Sequence, residues 1–415
     1  MSIHNLPRPK TLLLALATSA ALLALALMPT LSAAQEVSDI QSNGNLHLRG
    51  YGSGFIEGNT HAINANTARG GFPGQPGLSM IDQMYFQFML PQAQSGKKHV
   101  PIGIVHGCCL NTKSWQTTPD GRMGWDEYFV RQGFDTYMID QVARARSGFD
   151  ATAYNMVRTG QLPCTPDAIT GPNGCREIPA ILIASDQFAW NVFRWGQTPC
   201  TVSPCSSTTL PHTDLKFPVK NIGVGAGSNL QFYNMVIPDM TTTLSGAPAP
   251  ADPAGFYNSP SQMAKLASKA GGMTLMGHSQ SSAFPTRAAL QPGSGCYPWT
   301  SASACKVKGI IQLETGCFGN LTAAEINTLK HIPILVVDGD YFAPPRPQAV
   351  CQTMMDQING AGGDMKYALL PALTPGSIYP GSPGPMPGIE HMMMIGTKNI
   401  EVANFLIGWM NSRGL

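Results

Sequence analysis

Residues 273–285 read Met-Thr-Leu-Met-Gly-His-Ser-Gln-Ser-Ser-Ala-Phe-Pro, and no other stretch restricts the fold of this chain so tightly. A short apolar run ends at Gly277, Ser279 stands between the small residues Gly277 and Ser281, and a helix-compatible segment follows. Where a strand turns directly into a helix, the corner is so sharp that residues two places either side of it must be small, or strand and helix collide. A serine at that corner is presented as a nucleophile rather than left as a surface hydroxyl. Glycine is usual at the second small position; Ser281 departs from it but still suits the space. A chance serine in a strand-to-helix turn is the plainer alternative.

The rest of the chain suits such a corner. Leu46 to Gly58 and Ile81 to Leu90 predict strands, the second with Met84, Phe86, Phe88 and Leu90 alternating with Tyr85, Gln87 and Met89. His99 to Val105 predicts a strand leading into His106-Gly107, Trp125 to Gln132 a helix, and Phe134 to Ile139 a strand ending at Asp140. Beyond the corner, Val307–Leu313, Ile332–Val337 and Lys366–Pro371 predict strands, and Thr397 to Asn411 a closing amphipathic helix. Strands alternating with helices build a mostly parallel sheet, here with antiparallel edge strands. With a serine corner in its middle, that is the α/β-hydrolase fold, spanning residues 35–415. From Arg144 to roughly Pro260 the alternation lapses, with helices predicted around Asp186–Trp195 and Asn229–Met240, and the helix before the corner resumes at Ser261–Ala270. We read about 144–260 as a cap inserted over the sheet, where substrate pockets commonly form; an excursion that never meets substrate is the alternative. Its aromatic residues Phe188, Trp190, Phe193, Trp195, Phe232 and Tyr233 either line an apolar cleft or simply pack it.

The first 34 residues read as a secretory signal: Arg8 and Lys10, an apolar run from Leu12 to Met28, then Ser32-Ala33-Ala34 as a small-residue cleavage site. An uncleaved anchor is the alternative, and stable membrane insertion is not expected after cleavage. Losing Arg8 and Lys10 leaves 24 basic and 24 acidic side chains, so the remainder lacks the basic footprint that nucleic acid requires. A secreted or periplasmic destination is oxidising, and ten cysteines there favour disulfides over metal sites. Cys164 with Cys175, Cys200 with Cys205, and Cys296 with Cys305 are close in sequence within polar loops. If those pair, Cys317 and Cys351 are left for each other, and so are the adjacent Cys108 and Cys109; sequence alone does not settle the connectivity. Cys200 and Cys205 have no matching histidine pair, so no metal is expected.

A serine nucleophile in this fold takes its base from further along the chain. His331 precedes its strand and falls at the amino edge of the sheet, whereas active sites of parallel sheets lie beyond the carboxyl ends. His391 follows the last strand through a loop and is the expected base. Two carboxylates end strands, Glu314 and Asp340, and the acid's usual place after the later strand points to Asp340; Glu390 would have to double back on its neighbour. An oxyanion hole needs the N–H after the nucleophile, from Gln280, and a second from the loop after an early strand, where Cys108 lies. A bond between Cys108 and Cys109 would hold that donor in place; two free buried thiols are the alternative.

His106-Gly107-Cys108-Cys109-Leu110, Trp115 and Thr118-Pro119-Asp120-Gly121-Arg122-Met123-Gly124-Trp125 together resemble bacterial secreted serine esterases that carry a vicinal cysteine disulfide in the oxyanion loop. Asp140-Gln141 with Arg144 and Arg146-Ser147, Gly277-His278-Ser279-Gln280-Ser281, and His391-Met392-Met393-Met394 extend the resemblance from about residue 45 to the C-terminus. It implies that Cys108 and Cys109 are bonded, that Cys317 pairs with Cys351, and that the acid is Glu314 rather than Asp340. Three stretches depart from that family: the cysteine loops at 164–175 and 200–205, and Gly293–Cys305. The substrate therefore does not carry over.

The expectation is a serine carboxylic-ester hydrolase with Ser279, Glu314 and His391 as its triad, working through an acyl-enzyme without metal or organic cofactor. Its partner is a small-molecule or polymeric ester. An amidase or acyltransferase on the same triad is the first alternative, and a dead hydrolase-fold binding protein the second. Acyl and alcohol preference and oligomeric state, homodimer included, are not legible.

Overall fold

The computed structural model describes residues 42–63, 70, 75–92, 99–149, 151–167, 171–175, 178, 181–205, 209–217, 228–240, 254–342 and 347–415. The leader expected over residues 1–34 lies outside them. Among the described residues no helix is long and apolar enough to cross a membrane.

The strands in chain order are β1 (Leu48–Ile56), β2 (Asn59–Ile63), β3 (Gly77–Ile81), β4 (Met84–Pro91), β5 (Ile102–Val105), β6 (Thr136–Ile139), β7 (Pro166–Asp167), β8 (Gly171–Cys175), β9 (Ile181–Leu182), β10 (Asp239–Met240), β11 (Met273–His278), β12 (Val307–Leu313), β13 (Ile334–Asp338) and β14 (Met365–Leu369). The helices are α1 (Trp125–Arg131), α2 (Thr152–Arg158), α3 (Asp186–Val192), α4 (Ser228–Asn234), α5 (Ala254–Lys269), α6 (Phe284–Ala289), α7 (Ala323–Leu329), α8 (Ala349–Gly360) and α9 (Asn399–Ser412). Eight strands form the central sheet in the order β1-β4-β6-β5-β11-β12-β13-β14. From β6 to β14 every neighbouring pair is parallel, and β1 and β4 join antiparallel at one edge. This is the α/β-hydrolase arrangement.

Burial on both faces explains why the inner strands read as continuous apolar runs. All residues of β11 and β13 are buried, and their side chains divide by the two-residue period of a strand. Ile104, Met276, Ile311, Leu335 and Val337 face one core, which holds Trp125 and Phe129 of α1 and Phe405, Leu406 and Trp409 of α9. Val105, Leu275, Ile310, Ile334 and Val336 face the other, with Met263 of α5, Phe284 of α6 and Met354 of α8. Helices therefore cover both faces and leave the carboxyl edge of the sheet for the loops.

Residues 144–253 add no described strand to the central sheet. Their described parts are α2, α3, α4 and two small two-stranded pairs, β7 with β8 and β9 with β10. The structure joins Cys164 to Cys175 and Cys200 to Cys205 in this region, Cys296 to Cys305 before β12, Cys317 to Cys351 on α8, and Cys108 to Cys109 after β5. Several elements differ from expectation; Asp239–Met240, expected to end a helix begun near Asn229, pairs instead as β10 with β9. The β2–β3 pair is not among the expected strands, because both are short and β3 is exposed along most of its length, leaving little alternation to read. Helix α5 begins at Ala254, before Pro260, rather than after it. A proline inside a helix costs a hydrogen bond, and here the stretch is held from outside: buried Ser259 accepts the Val142 N–H through its hydroxyl at 2.9 Å.

The loop after β14 returns across the sheet and buries Ile389 to Ile395 without interruption. Glu390 goes in with it, its Oε2 accepting Trp195 Nε1–H at 3.3 Å and the Met392 N–H at 2.5 Å. Burial pushes its carboxyl up to about 8, from an ordinary value of 4.5. The folded form thus holds the proton more tightly than the unfolded form. Stability from this group is complete below about pH 4.5 and is lost as pH rises through about 8. Glu390→Gln should flatten the decline of the urea midpoint between these pH values. Parallel curves for variant and parent would contradict the assignment.

Candidate active site

The corner after β11 has the geometry its sequence requires. Ser279 sits at φ 56°, a left-handed backbone that a non-glycine residue adopts only when its surroundings hold it there. A Cβ on Gly277 would lie 2.1 Å from the Ser281 carbonyl oxygen, so only glycine fits. Ser281 is tolerated in place of glycine because its buried hydroxyl is satisfied: it accepts the His278 N–H at 3.1 Å and donates to the Val105 carbonyl at 3.0 Å. The loop after β5 comes equally close on the other side. A Cβ on Gly107 would lie 2.9 Å from Ser279 Cβ, which puts the Gly107-Cys108 backbone directly against the serine.

The base and acid expected from sequence meet. His391 Nδ1 lies 2.9 Å from Glu314 Oε2, with both side chains buried. Glu314 occupies a left-handed position, φ 64°, where β12 ends, and its Oε1 accepts the Gly339 N–H at 2.9 Å. Asp340 is otherwise engaged: Oδ1 accepts the Tyr341 N–H at 2.7 Å and Oδ2 the Gly388 N–H at 2.8 Å. It anchors the loop that carries His391 rather than meeting the imidazole. His331 stacks on Trp299 at a ring separation of 4.1 Å, away from this group.

His278, immediately before Ser279, contacts His391. Its Nε2–H donates to the His391 carbonyl at 2.8 Å, and the two rings stand 4.7 Å apart. Burial, and then the neighbouring His391, push its pKa down to about 3, so the ring is neutral across the physiological range. The other face of His391 stacks parallel on Phe193, with centroids 5.1 Å apart.

Around the vicinal cysteines the structure adds residues that the sequence reading missed. Asp239 Oδ2 accepts the Cys109 N–H at 2.9 Å and Gln280 Nε2–H at 3.0 Å, while its Oδ1 pairs with Arg144 Nη2. The Ile237 N–H donates to the Cys109 carbonyl at 2.8 Å. Gln141 Nε2 bridges the His106 carbonyl at 2.7 Å and Gln280 Oε1 at 3.1 Å. Gln141 and Arg144 lie in runs that stood out by resemblance; Asp239 gave no signal, since an aspartate near the end of an expected helix looks like any surface carboxylate. Sγ of Cys108, Sγ of Cys109 and a carboxylate oxygen of Asp239 lie within 4.8 Å of one another. The sulfurs are bonded to each other and the carboxylate is paired with Arg144, a poor donor set for a cation.

A cavity of about 670 Å³ opens beside Glu314 and His391, with Trp190, Arg194, His212, Tyr341 and Phe342 on its walls. Of the region's other aromatic residues, Phe193, Trp195 and Phe232 are buried in packing, and Phe188 and Tyr233 are partly buried against the core.

No family model matches the chain. A solved bacterial esterase is similar over 90% of this chain and 99% of its own, at 30% identity and a TM-score of 0.67. A thermophilic esterase from Thermogutta terrifontis, at 9% identity over 80% of this chain and 95% of its own, has a TM-score of 0.34, too low to bear on the argument. A curated fungal protein named "Probable secreted lipase phiG", from Fungal sp. (strain ATCC 74256), is 34% identical over 77 residues, which is 19% of this chain. The match spans about a fifth of that protein, 21% of its length. The near-complete match at 30% identity places this chain in the family of the bacterial esterase, among the carboxylic ester hydrolases of the α/β-hydrolase fold.

Proposed function

We propose that the chain hydrolyses esters through Ser279 as nucleophile, His391 as base and then acid, and Glu314 as the group that orients the imidazole. The observation that carries this reading is the buried His391 Nδ1–Glu314 Oε2 contact at 2.9 Å, one residue from the strained Ser279 corner through His278. With Nδ1–H donated to the carboxylate, Nε2 is left as the nitrogen that takes the serine proton. Ser279 Oγ attacks the ester carbonyl, and the proton passes through His391 to the departing alcohol. Water then repeats the sequence on the acyl-enzyme.

The oxyanion of each tetrahedral intermediate is held by the N–H groups of Cys108 and Gln280. The Cys109 N–H is committed to Asp239, which leaves Cys108 as the donor of the vicinal pair. The Cys108–Cys109 ring keeps that donor fixed. Residues 144–260 act as a cap over the carboxyl edge. A leader over residues 1–34 and five disulfides support secretion or a periplasmic location.

A fluorophosphonate probe should label the parent and not Ser279→Ala; labelling of the folded variant would place the nucleophile elsewhere. Glu314→Ala should cut kcat by about 10³-fold or more, and Asp340→Asn by far less. The reverse ranking would move the acid to Asp340. Reducing Cys108–Cys109 should lower kcat by up to about 10²-fold before the fold is lost, and full activity with both thiols demonstrably free would remove the ring's role.

A further inference from the structure

The residues just after α3 grip the loop that carries His391. The Phe193 ring stacks on the imidazole, and its carbonyl accepts the His391 N–H at 3.4 Å. Trp195 Nε1–H reaches Glu390 Oε2 at 3.3 Å. Between them Arg194, also left-handed at φ 60°, turns its guanidinium onto the acid: Nη2 lies 2.8 Å from Glu314 Oε2, the same oxygen that meets His391. Nη1 stands 3.4 Å from His391 Nδ1 itself. Nε donates to the Asp340 carbonyl at 2.7 Å, and the guanidinium lies 3.8 Å over the Phe342 ring. The side chain is only 12% exposed, so solvent screens its charge weakly.

We propose that Arg194 is a positioning residue of the Glu314–His391 pair, holding the carboxylate and setting the pH range over which the imidazole can act as a base. The proposal rests on the triad reading above. A carboxylate facing Nδ1–H stabilises imidazolium. A guanidinium on that same carboxylate oxygen takes up part of the charge, and at 3.4 Å it also opposes a second positive charge on the ring. Arg194 thus acts against protonation of His391 and favours activity at lower pH. It comes from the segment outside the sheet, so seating that segment also completes the acid–base pair.

Other ionisable groups around His391 do not duplicate this. His278 is neutral, its pKa pushed down to about 3. Glu390, beside it in sequence, is held high by burial, at about 8. The Asp340 carboxylate is taken by two backbone N–H groups. Asp214 accepts from Tyr341 Oη–H at 2.7 Å, and His212 stacks on that tyrosine.

The test is the pH profile of kcat/KM on a soluble ester for Arg194→Met and Arg194→Lys. The acidic limb should move up by about one pH unit in Arg194→Met, and Arg194→Lys should keep it close to the parent position because a cation stays against Glu314. A limb that stays in place in Arg194→Met, whether or not kcat falls uniformly, would overturn the proposal, as would equal shifts in both variants. Arg194→Gln, uncharged but still a donor, carries the same expectation should Arg194→Met fail to fold. Fluorophosphonate labelling of the parent keeps the two readings apart: an unlabelled Ser279 defeats the triad, whereas a labelled Ser279 with an unmoved limb defeats only the role of Arg194.

Discussion

A carboxylate taken out of water has to be satisfied on every side, and the arrangement at the carboxyl edge of this sheet follows from how that is done for Glu314. One oxygen takes the Gly339 N–H from the loop after β13, and the other is shared by His391 and Arg194. Three separate segments are thereby fixed relative to one another: the turn after β13, the loop after β14, and the stretch following α3. Removing any one partner leaves a buried charge under-compensated, which is far costlier than losing a surface ion pair. The left-handed backbone at Glu314, Arg194 and Ser279 is tolerated within this framework, because neighbours over-determine each position.

Much of this was readable from residues alone. The central strands declared themselves because burial on both faces leaves few residues to choose from, as in Ile334-Leu335-Val336-Val337. Gly277 and Ser279 fixed the corner because sterics permit little else between β11 and the turn that follows. His391 could be chosen over His331 from strand order, since only one follows a carboxyl end.

The choice between Glu314 and Asp340 shows where such reading stops. Glu314 and Asp340 both end strands, and general position favours the later one; resemblance to a family, not spacing, tipped the choice. What differs between the two carboxylates is local. Gly388 and Tyr341 take the Asp340 oxygens, and the left-handed turn at Glu314 faces its side chain toward the imidazole. Arg194 and Asp239 were invisible for a different reason. The helices expected around Asp186–Trp195 and Asn229–Met240 end at Val192 and Asn234, so both residues lie past the helix and meet partners that no helical period points to. Ser281 looked like a weakening of the motif until its hydroxyl was seen bonded to Val105.

Asp239 reaches two loops with a single carboxylate oxygen, one holding Cys109 and the other Gln280. With Phe193 to Trp195 it makes a second mooring for the long excursion between β6 and α5. Between these moorings His212 stacks on Tyr341 and lines the cavity beside Glu314 and His391. Elsewhere the same excursion turns Ile181, Ile183, Val192 and Val202 out to solvent. Because one oxygen of Asp239 serves both loops, a displacement of either is felt by the other.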